Sequence, residues 1–454
     1  MNYLLVRFII SLILCLLLIS IRKADAQTIH YQLVDLEVNA PDSKKTNFLD
    51  SLGPFTQPVK IFMEGLRIHS SDKRFSFGNS GFWSTVPVYS FVDGFWIGQT
   101  FDGKMDFNKK HKLELETMIY YTTARKKLTW QTDLSYLYLP HMVGKLKISG
   151  GDISSDYDVE EHLARLENSL YSLLLGRNYM KMFRKKFVEL KNSFYPFEGF
   201  RLFNSFSVQW RSSEVNHTTY SFIHPESNFD QSNIPENKYF RLMPRSLALV
   251  GSVGFDFTFC KACVYNSKSN EIIYSYIPTL SARTVFGIPA GKKNRSQFMF
   301  IEGSINQRLK FTEKTTFDYK IGGGAFLYKE NLWFPDFRHF GAYSLPSMRT
   351  FTDDGYFLIG YYKADTQKSW IRGSANYLSE RFLLTRIKCF GNNDFSEGVH
   401  FRYLWTPEIR HYTELGYAFG YKNLARVGCF VGFTGGSYSN FGFTVSFPWL
   451  TGGY

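Results

Sequence analysis

The sequence predicts an all-β fold, a transmembrane antiparallel up-and-down β-barrel of roughly 16 to 18 strands. Three observations lead to this prediction. Segments that alternate apolar and polar residues recur along the chain. An export signal occupies the N-terminus, and no later stretch stays apolar for the roughly 18 residues that a membrane helix needs. Aromatic residues make up 18% of the 454 residues, with 45 Phe and 29 Tyr, which is typical of the aromatic girdles of membrane barrels.

The N-terminal segment, residues 1–26, has the organisation of a signal peptide. Arg7 provides the positive charge, residues 8–19 are apolar apart from one serine, and residues 24–26 read Ala-Asp-Ala. We therefore expect cleavage between Ala26 and Gln27. A single membrane anchor is the alternative, and it is disfavoured because the apolar run is short for a bilayer.

Residues 27–57 are rich in polar residues and lack periodicity, so we expect a short periplasmic lead-in before a barrel that occupies residues 58–454. The formal net charge of +13 raises the question of an anionic partner. Nucleic acid is disfavoured because the chain is exported and its basic residues are scattered. Outer-membrane lipid and lipopolysaccharide are the expected partners.

The clearest hairpin spans residues 112–138. Alternate positions of its first strand are mostly apolar, namely Leu113, Leu115, Thr117, Ile119 and Tyr121, and a second alternating strand follows the turn at residues 122–127. A soluble sandwich also alternates, but these strands exceed the globular mode of about 5 to 6 residues. The other strand candidates are residues 58–68, 86–99, 143–150, 181–192, 200–211, 247–259, 273–287, 299–311, 317–327, 355–364, 369–377, 381–388, 396–405, 414–421, 425–433 and 440–449.

The last candidate strand, residues 440–449, has one aromatic face and one small, polar face. We expect it to pair with residues 58–68, because unpaired backbone groups cannot be left in lipid. Its terminal aromatics, Phe447 and Trp449, would then be available to barrel-assembly machinery. Deleting residues 441–454 should abolish membrane insertion.

An even number of strands would place both ends of the barrel on the periplasmic side, which predicts the side of the membrane that each connection faces. Short turns at residues 312–314 and 422–423 fall on the periplasmic side, and the irregular segments 213–245 and 328–354 fall outside, as is usual for such barrels. Residues 159–175 have leucines at helical spacing. We expect a loop helix at the rim, with an inward-folding constriction as the alternative.

The face predicted to line the lumen carries charges of both signs. They are Lys112, Glu114, Glu116, Asp133, Arg201, Arg211, Asp256, Glu302, Arg308, Lys310, Asp318, Lys320, Glu414 and Arg426. A strongly selective pore favours one sign. The mixture indicates ion pairing across a partly plugged lumen, and a water-filled, weakly selective channel is the alternative.

No established catalytic motif is present, and we expect neither a cofactor nor a metal ion. The best candidate functional loop contains Asp336, Arg338 and His339. A structural role is the favoured interpretation, and a catalytic role is the alternative. Cys260 and Cys263 form a Cys-x-x-Cys, but they end a predicted strand rather than open a helix, so a redox pair is disfavoured.

A series of short motifs resembles a family of Bacteroidota outer-membrane barrels that has no assigned function. The motifs occur in the family's order, at residues 146–151, 178–181, 183–185, 198–200, 216–222, 336–340 and 357–362. In that family a carboxypeptidase-regulatory-like β-sandwich usually precedes the barrel. The short lead-in here leaves no room for it, so we expect it to be missing. The resemblance implies a fold and a location, and it supplies no catalytic residues and no cargo.

Together these observations predict an outer-membrane β-barrel with a transport, assembly or structural role in the envelope and no catalysis. Two alternatives remain open at this point. One is a barrel hydrolase that acts on outer-leaflet lipid or surface peptide through His339 and Asp336. The other is a soluble, secreted all-β binding protein.

Overall fold

The computed structural model describes most of the chain from Gly65 onward. The described residues are 65–72, 74–81, 88–108, 111–138, 144–160, 163–222, 232–259, 263–265, 272–275, 277–289, 295–312, 315–342, 351, 354–380, 382–386, 395–421 and 425–446. Expectations for the signal peptide and its cleavage site, the lead-in, Cys260 and the turn at 422–423 lie outside these residues, as do residues 58–64 and 447–449 of the predicted closing strand pair.

Strands dominate the described chain. They are β1 (Arg67–His69), β2 (Phe75–Asn79), β3 (Tyr89–Ser90), β4 (Gly94–Asn108), β5 (His111–Thr122), β6 (Lys127–Tyr138), β7 (Gly144–Asp156), β8 (Met182–Phe197), β9 (Phe200–Ser213), β10 (Ser246–Thr258), β11 (Cys263–Tyr265), β12 (Ile272–Ser275), β13 (Thr279–Ile288), β14 (Gln297–Thr312), β15 (Thr315–Asn331), β16 (Ser369–Ser379), β17 (Phe395–Thr406), β18 (Arg410–Tyr421), β19 (Ala425–Thr434) and β20 (Ser437–Ser446). One α-helix, α1 (Arg165–Leu175), lies between β7 and β8. No helix in the described part of the chain is both long and apolar enough to cross a membrane.

Eighteen of these strands form one antiparallel sheet, and β11 and β12 form a separate hairpin. From β4 to β20 each strand of the sheet pairs with the next one along the chain. The sheet curls round a single inserted segment, because β7, β9 and β18 all bond to residues 336–362. The predicted up-and-down β-barrel is therefore confirmed.

The outer face of the wall is apolar. On β5 the outward Ile119 is 44% exposed, and its inward neighbour Tyr120 is 9% exposed. The same outward exposure recurs at Ile97, Leu128, Trp130, Ile148, Val188, Trp210, Leu280, Ile301, Ile321, Ile371, Leu415, Val427, Phe441 and Phe443. A continuous belt of exposed apolar side chains is the surface that lipid covers in a membrane barrel.

Most predicted strands are confirmed, and two are wrong. Residues 355–364 do not join the sheet, and the isolated bridge between Tyr356 and Ala342 lies within the inserted segment. The apolar side chains of residues 355–364 fill the barrel interior instead. The predicted strand 381–388 is the second error: within its described residues 382–386, residues Leu384–Arg386 form a 3-10 turn. Glu397 accepts the backbone N–H groups of Leu383 and Thr385 and takes the place of a strand partner. Residues 86–99 divide between β3 and β4, and residues 273–287 divide between β12 and β13.

The alternating strand directions place the connections 157–181, 214–245 and 332–368 at one end of the barrel, here termed the long-loop end. The tight links between β8 and β9 and between β14 and β15 lie at the other end, here termed the short-turn end, with the β11–β12 hairpin. This asymmetry agrees with the predicted arrangement of turns and loops.

Helix α1 agrees with the predicted helical spacing. Gly176 ends it in the left-handed conformation. Its inner side is fixed by Ser169, whose hydroxyl accepts the N–H of Tyr89 at 2.8 Å. Its outer side leaves Leu170 and Leu174 exposed. The helix thus lies at the long-loop end, with one face buried.

Candidate functional site: a plug inside the barrel

The three long connections fold together into one body, here termed the plug: the described residues of 157–181, 214–245 and 332–368. Tyr362 joins all three. Its hydroxyl accepts the N–H of Lys181 at 2.9 Å and donates to Asp156 at 2.7 Å, and Asn237 donates to its carbonyl at 2.8 Å. Tyr362 has a φ of 65°, an unfavourable backbone conformation that such surrounding bonds maintain.

The plug has its own apolar core. Its members come from the three connections and the adjoining start of β8, and they are Tyr157, Phe183, Met243, Phe334, Phe337 and Tyr362. All are at most 5% exposed. A core of this kind makes the connections one packed unit rather than separate loops.

Asp336 attaches the plug to the wall. Its carboxylate accepts a bond from Arg211 Nη1 on β9 at 2.5 Å and another from the Ser296 hydroxyl at 2.7 Å. The side chains of Arg211 and Asp336 are 3% and 1% exposed. A buried pair with both partners bonded is favourable only as long as both remain, because either charge alone would be buried without compensation.

Arg338 makes a second attachment. Its guanidinium bonds Glu302 on β14 at 2.9 Å and Glu160 of the plug at 2.7 Å. Arg283 on β13 contacts the same two carboxylates, at 2.5 and 3.0 Å. Burial opposes the charge of Arg338, but the two carboxylates outweigh it and raise its pKa. Two arginines and two glutamates therefore form a closed ring between wall and plug.

His339 is paired within the plug. Its Nδ1 lies 2.6 Å from Asp365, whose other oxygen accepts the N–H of Phe340. Burial opposes protonation, but the charge and hydrogen bond of Asp365 outweigh it and raise the pKa of His339 to about 9. The pair is thus an ion pair at neutral pH.

Asp336 and His339 of the candidate loop have different partners. Asp336 bonds Arg211 and Ser296 rather than His339, and His339 Nε2 is buried with no hydrogen-bond partner in the described chain. Asp336, Arg338 and His339 are all less than 5% exposed. No group of three metal-ligating side chains occurs within the described ranges. The arrangement therefore positions the plug against the wall.

The wall also holds the inserted segment through side chains that replace strand partners. Glu414 on β18 accepts the N–H groups of Phe357 and Leu358 at 2.9 and 2.8 Å. Arg402 on β17 donates to the carbonyl of Phe351 at 2.6 Å. Asn440 on β20 donates to the carbonyl of Leu358 at 3.0 Å. These bonds satisfy backbone groups that are buried away from any sheet.

Glycines on the inner face of the last strands make room for this segment. A Cβ at Gly442 would lie 2.7 Å from Leu358 Cδ2, and a Cβ at Gly428 would lie 3.1 Å from the Phe351 ring. The predicted small face of residues 440–449 therefore receives the plug. The glycines at inward positions of β18 to β20 are a signal of this contact in the sequence. Alternation of apolar and polar residues alone does not reveal it.

The remaining lumen charges pair in several ways. Neighbouring strands are joined by Arg201 with Asp256, Arg308 with Asp318, Lys104 with Glu114, and Lys147 with Asp133, at 3.5, 2.8, 3.8 and 3.1 Å respectively. Lys320 reaches Asp354 of the plug. Neither Glu116 nor Arg426 has an ion pair within the described chain.

The family model described as "Family of unknown function (DUF5686) C-terminal domain" matches residues 59–419. No curated protein matches the sequence.

Solved structures that are similar to the chain include three outer-membrane barrel proteins. BamA from Haemophilus ducreyi lacking POTRA domains 1–3 has a TM-score of 0.43 and 10% identity, over 82% of this chain and 69% of its own. A mutant porin of Rhodopseudomonas blastica has a TM-score of 0.32 and 9% identity, over 77% and 90%. Wzi from Escherichia coli, described as a carbohydrate-binding β-barrel of the outer membrane, has a TM-score of 0.30 and 9% identity, over 85% and 83%. Similarity at this level carries no functional argument.

Proposed function

The chain belongs to the DUF5686 C-terminal domain family, whose function is unknown, and we propose that it is an outer-membrane β-barrel with a non-catalytic role in the envelope. That role is transport, assembly or structural support through a barrel closed by its own plug. The observation that carries the proposal is the combination of an apolar outer belt with a lumen in which buried ion pairs hold the plug to the wall.

The two faces of the wall support a membrane location. A soluble sandwich places its polar face in water and buries its apolar face. Here the apolar face is outside and the charged face surrounds the plug. Exposing so large an apolar belt to water would be unfavourable, so lipid is the environment that fits it.

The orientation follows from the connections. Long connections of such barrels face outward and short turns face the periplasm. We therefore place the plug-bearing long-loop end at the cell surface, in contact with lipopolysaccharide, and the short-turn end in the periplasm. Residues 1–26 would act as the export signal, cleaved after Ala26, and residues 27–57 would form a lead-in. Barrel-assembly machinery would insert the exported chain.

Fractionation tests the location. We expect the full-length protein in the detergent-extracted outer-membrane fraction of a bacterium that expresses it, and we expect its unheated form to migrate differently from its heated form on a gel. Recovery from the soluble periplasmic fraction would reject the barrel proposal and favour the secreted binding protein.

Single-channel recording tests the closed lumen. Purified protein in planar bilayers should give few or no conductance steps. The Arg211→Ala variant, which releases one attachment of the plug, should give frequent steps. A large, steady conductance in the unmodified protein would show an open pore and contradict the plugged lumen.

The hydrolase alternative has a direct test of its own. Since His339 is buried against Asp365 and has no nucleophile at Nε2 in the described chain, a catalytic role is disfavoured. We expect His339→Ala to complement the envelope-lipid phenotypes of a knockout as long as the variant still folds. Failure of a folded variant to complement would revive the hydrolase.

A further inference from the structure

A cavity of about 690 Å³ lies between the plug and strands β13 to β16. Two glycines lie on the lumen face of β15 in this part of the wall. Strand register sets Gly322 between Ser304 on β14 and Arg372 on β16. The same register sets Gly324 between Glu302 and Trp370. A Cβ at Gly322 would lie 2.8 Å from Ser304 Cβ, and a Cβ at Gly324 would clash with Trp370 Cζ2, so neither position has room for a side chain.

The ionic side chains that line the cavity are almost all paired. The cationic ones are Arg283, Arg308, Lys320, Arg338 and Arg372, and the anionic ones are Glu160, Glu302, Asp318 and Asp354. The ring of Arg283 and Arg338 uses both glutamates, Arg308 uses Asp318, and Lys320 uses Asp354. Arg372, which also lines the cavity, has no ion pair or hydrogen bond among the described residues.

The charge of Arg372 acts on the carboxyl group of Asp354, which also lines the cavity. Burial opposes ionisation of Asp354, but the charges of Lys320 and Arg372 outweigh it and lower the pKa of that carboxyl. Neutral polar side chains lie on the same face. Ser281 and Ser304 occupy the same register row as Arg372, and Asn306 lies one row further toward the short-turn end.

The cavity is open toward the short-turn end. On the lumen face of β14, the side chain of Glu302, beside the plug, is 16% exposed. Six residues further along the same face, nearer the short-turn end, the side chain of Arg308 is 55% exposed. Arg338 and Asp354 of the plug close the other side. Exposure of the lining therefore increases toward the short-turn end.

We propose that this cavity binds a small phosphorylated polyol, whose phosphate pairs with Arg372 and whose hydroxyl groups bond Ser281, Ser304 and Asn306. The planar guanidinium fork matches the oxygens of a phosphate and binds them in a bidentate manner. The volume falls in the range of about 300 to 1,000 Å³ that is usual for small-molecule sites. This inference goes beyond the proposed envelope role, because it rests on the lumen geometry and not on location.

Isothermal titration calorimetry of the folded, detergent-solubilised protein tests it, with glycerol 3-phosphate as the probe. Glycerol and inorganic phosphate serve as probes that lack one half of the recognised chemistry. We expect saturable one-to-one binding of glycerol 3-phosphate, weaker binding of phosphate and no binding of glycerol. Equal affinity for phosphate and glycerol 3-phosphate would overturn the polyol part of the proposal.

Variants assign the site. Arg372→Gln should weaken binding by about tenfold or more, since a charge-assisted hydrogen bond is lost, and Arg372→Lys should have an intermediate effect. The matched control is Arg201→Gln, which removes an equal charge from the lumen outside the cavity lining. The affinity of this control variant for glycerol 3-phosphate should equal that of the unmodified protein. An equal loss in the control, or full affinity in Arg372→Gln, would overturn the assignment. Heat-modifiable migration of each variant shows that it is folded.

The source of the phosphate is tested separately. The same titration in nanodiscs of phosphatidylglycerol compares a membrane headgroup with the free probe. If the headgroup is the ligand, glycerol 3-phosphate should compete poorly in these nanodiscs. Unchanged affinity there would assign the site to a soluble solute. Neither result depends on the conductance test, so the two proposals can fail independently.

Discussion

Arg201 and Arg211 share the lumen face of strand β9, yet the side chain of Arg201 is 43% exposed and that of Arg211 is 3% exposed. Arg201 pairs at 3.5 Å with Asp256 on the neighbouring strand, near the short-turn end. Arg211 pairs at 2.5 Å with Asp336 of the plug, near the long-loop end. The lumen is therefore open beside the short-turn end of β9 and filled by the plug beside its long-loop end. We expect an arginine to contribute differently to stability at these two positions.

Arg211→Ala should destabilise the folded barrel by about 3 to 5 kcal/mol, because it leaves the Asp336 carboxylate buried without its partner. The matched change Arg201→Ala should lower stability by at most about 1 kcal/mol, since exposed pairs contribute little. Urea unfolding of each refolded variant in lipid vesicles, followed by tryptophan fluorescence, measures both. Equal effects of the two variants would contradict the burial gradient.

Asp336→Ala completes a double-mutant cycle with Arg211→Ala. Since the two side chains are in direct contact, the double variant should be less destabilised than the sum of the single variants. Additive free energies of unfolding would show that the two side chains act independently. A release of the plug should also appear as frequent conductance steps in all three variants.

Glu414→Ala should loosen the inserted segment. Two buried backbone N–H groups, of Phe357 and Leu358, would lose their acceptor, at a cost of about 2 to 5 kcal/mol in total. Limited proteolysis from the long-loop end should then cleave residues 332–368 faster than in the unmodified protein. Glu116→Ala, which removes an exposed lumen carboxylate, should leave the cleavage rate unchanged, and a similar acceleration there would argue against a specific role for Glu414.

The plug should become less stable in alkaline solution. The folded-state pKa of His339, about 9, exceeds its unfolded value of about 6.5. The stabilisation, on the order of 3 kcal/mol, is fully present below about pH 6.5 and is lost as the pH rises through about 9. Conductance steps should therefore be more frequent at pH 10 than at pH 6.

His339→Gln provides the control for this pH dependence. It removes the titrating group, so the difference in step frequency between the two pH values should largely disappear. A variant that keeps the full pH dependence would assign it to another group.

Gly442→Leu should displace Leu358, because even a Cβ at this position would lie 2.7 Å from Leu358 Cδ2. We expect destabilisation of about 1 to 3 kcal/mol from overpacking, measured by the same urea unfolding. The second change Leu358→Ala should restore part of that loss by vacating the space. If the double variant is no more stable than Gly442→Leu alone, the contact between plug and β20 is not the cause.

Deleting residues 441–454 should abolish stable insertion. The deletion removes the second half of β20, which pairs with β19 from Arg426 to Val431, and it leaves backbone groups of β19 without partners in lipid. Outer-membrane fractionation of the truncated protein measures the effect. Normal yield and heat-modifiable migration would contradict the need for this strand.

Alternation along the chain was sufficient to predict the wall. Residues 112–121 and 128–138 alternate because each side chain of a membrane strand faces either lipid or lumen, and that local rule shows in the sequence itself. The prediction for residues 355–364 is wrong because residues 356–359 form an uninterrupted apolar run, which a strand buried on both faces would also have. In the fold Phe357 stacks on Phe430 of β19, and Leu358 lies against Gly442 of β20.

The sequence by itself determined the barrel class, most strand bounds, the mixed charges of the lumen and the uneven ends, because each of these follows from period-two patterning and from turn lengths. Only the tertiary structure decided the partners of those charges. Arg211 and Asp336 lie far apart in the chain, as do Glu414 and Phe357, and no local pattern relates them. The final strand shows both contributions. Its outward aromatic residues follow from alternation. The need for glycine at the inward position 442 follows only from the fold of the plug, which brings Leu358 against it.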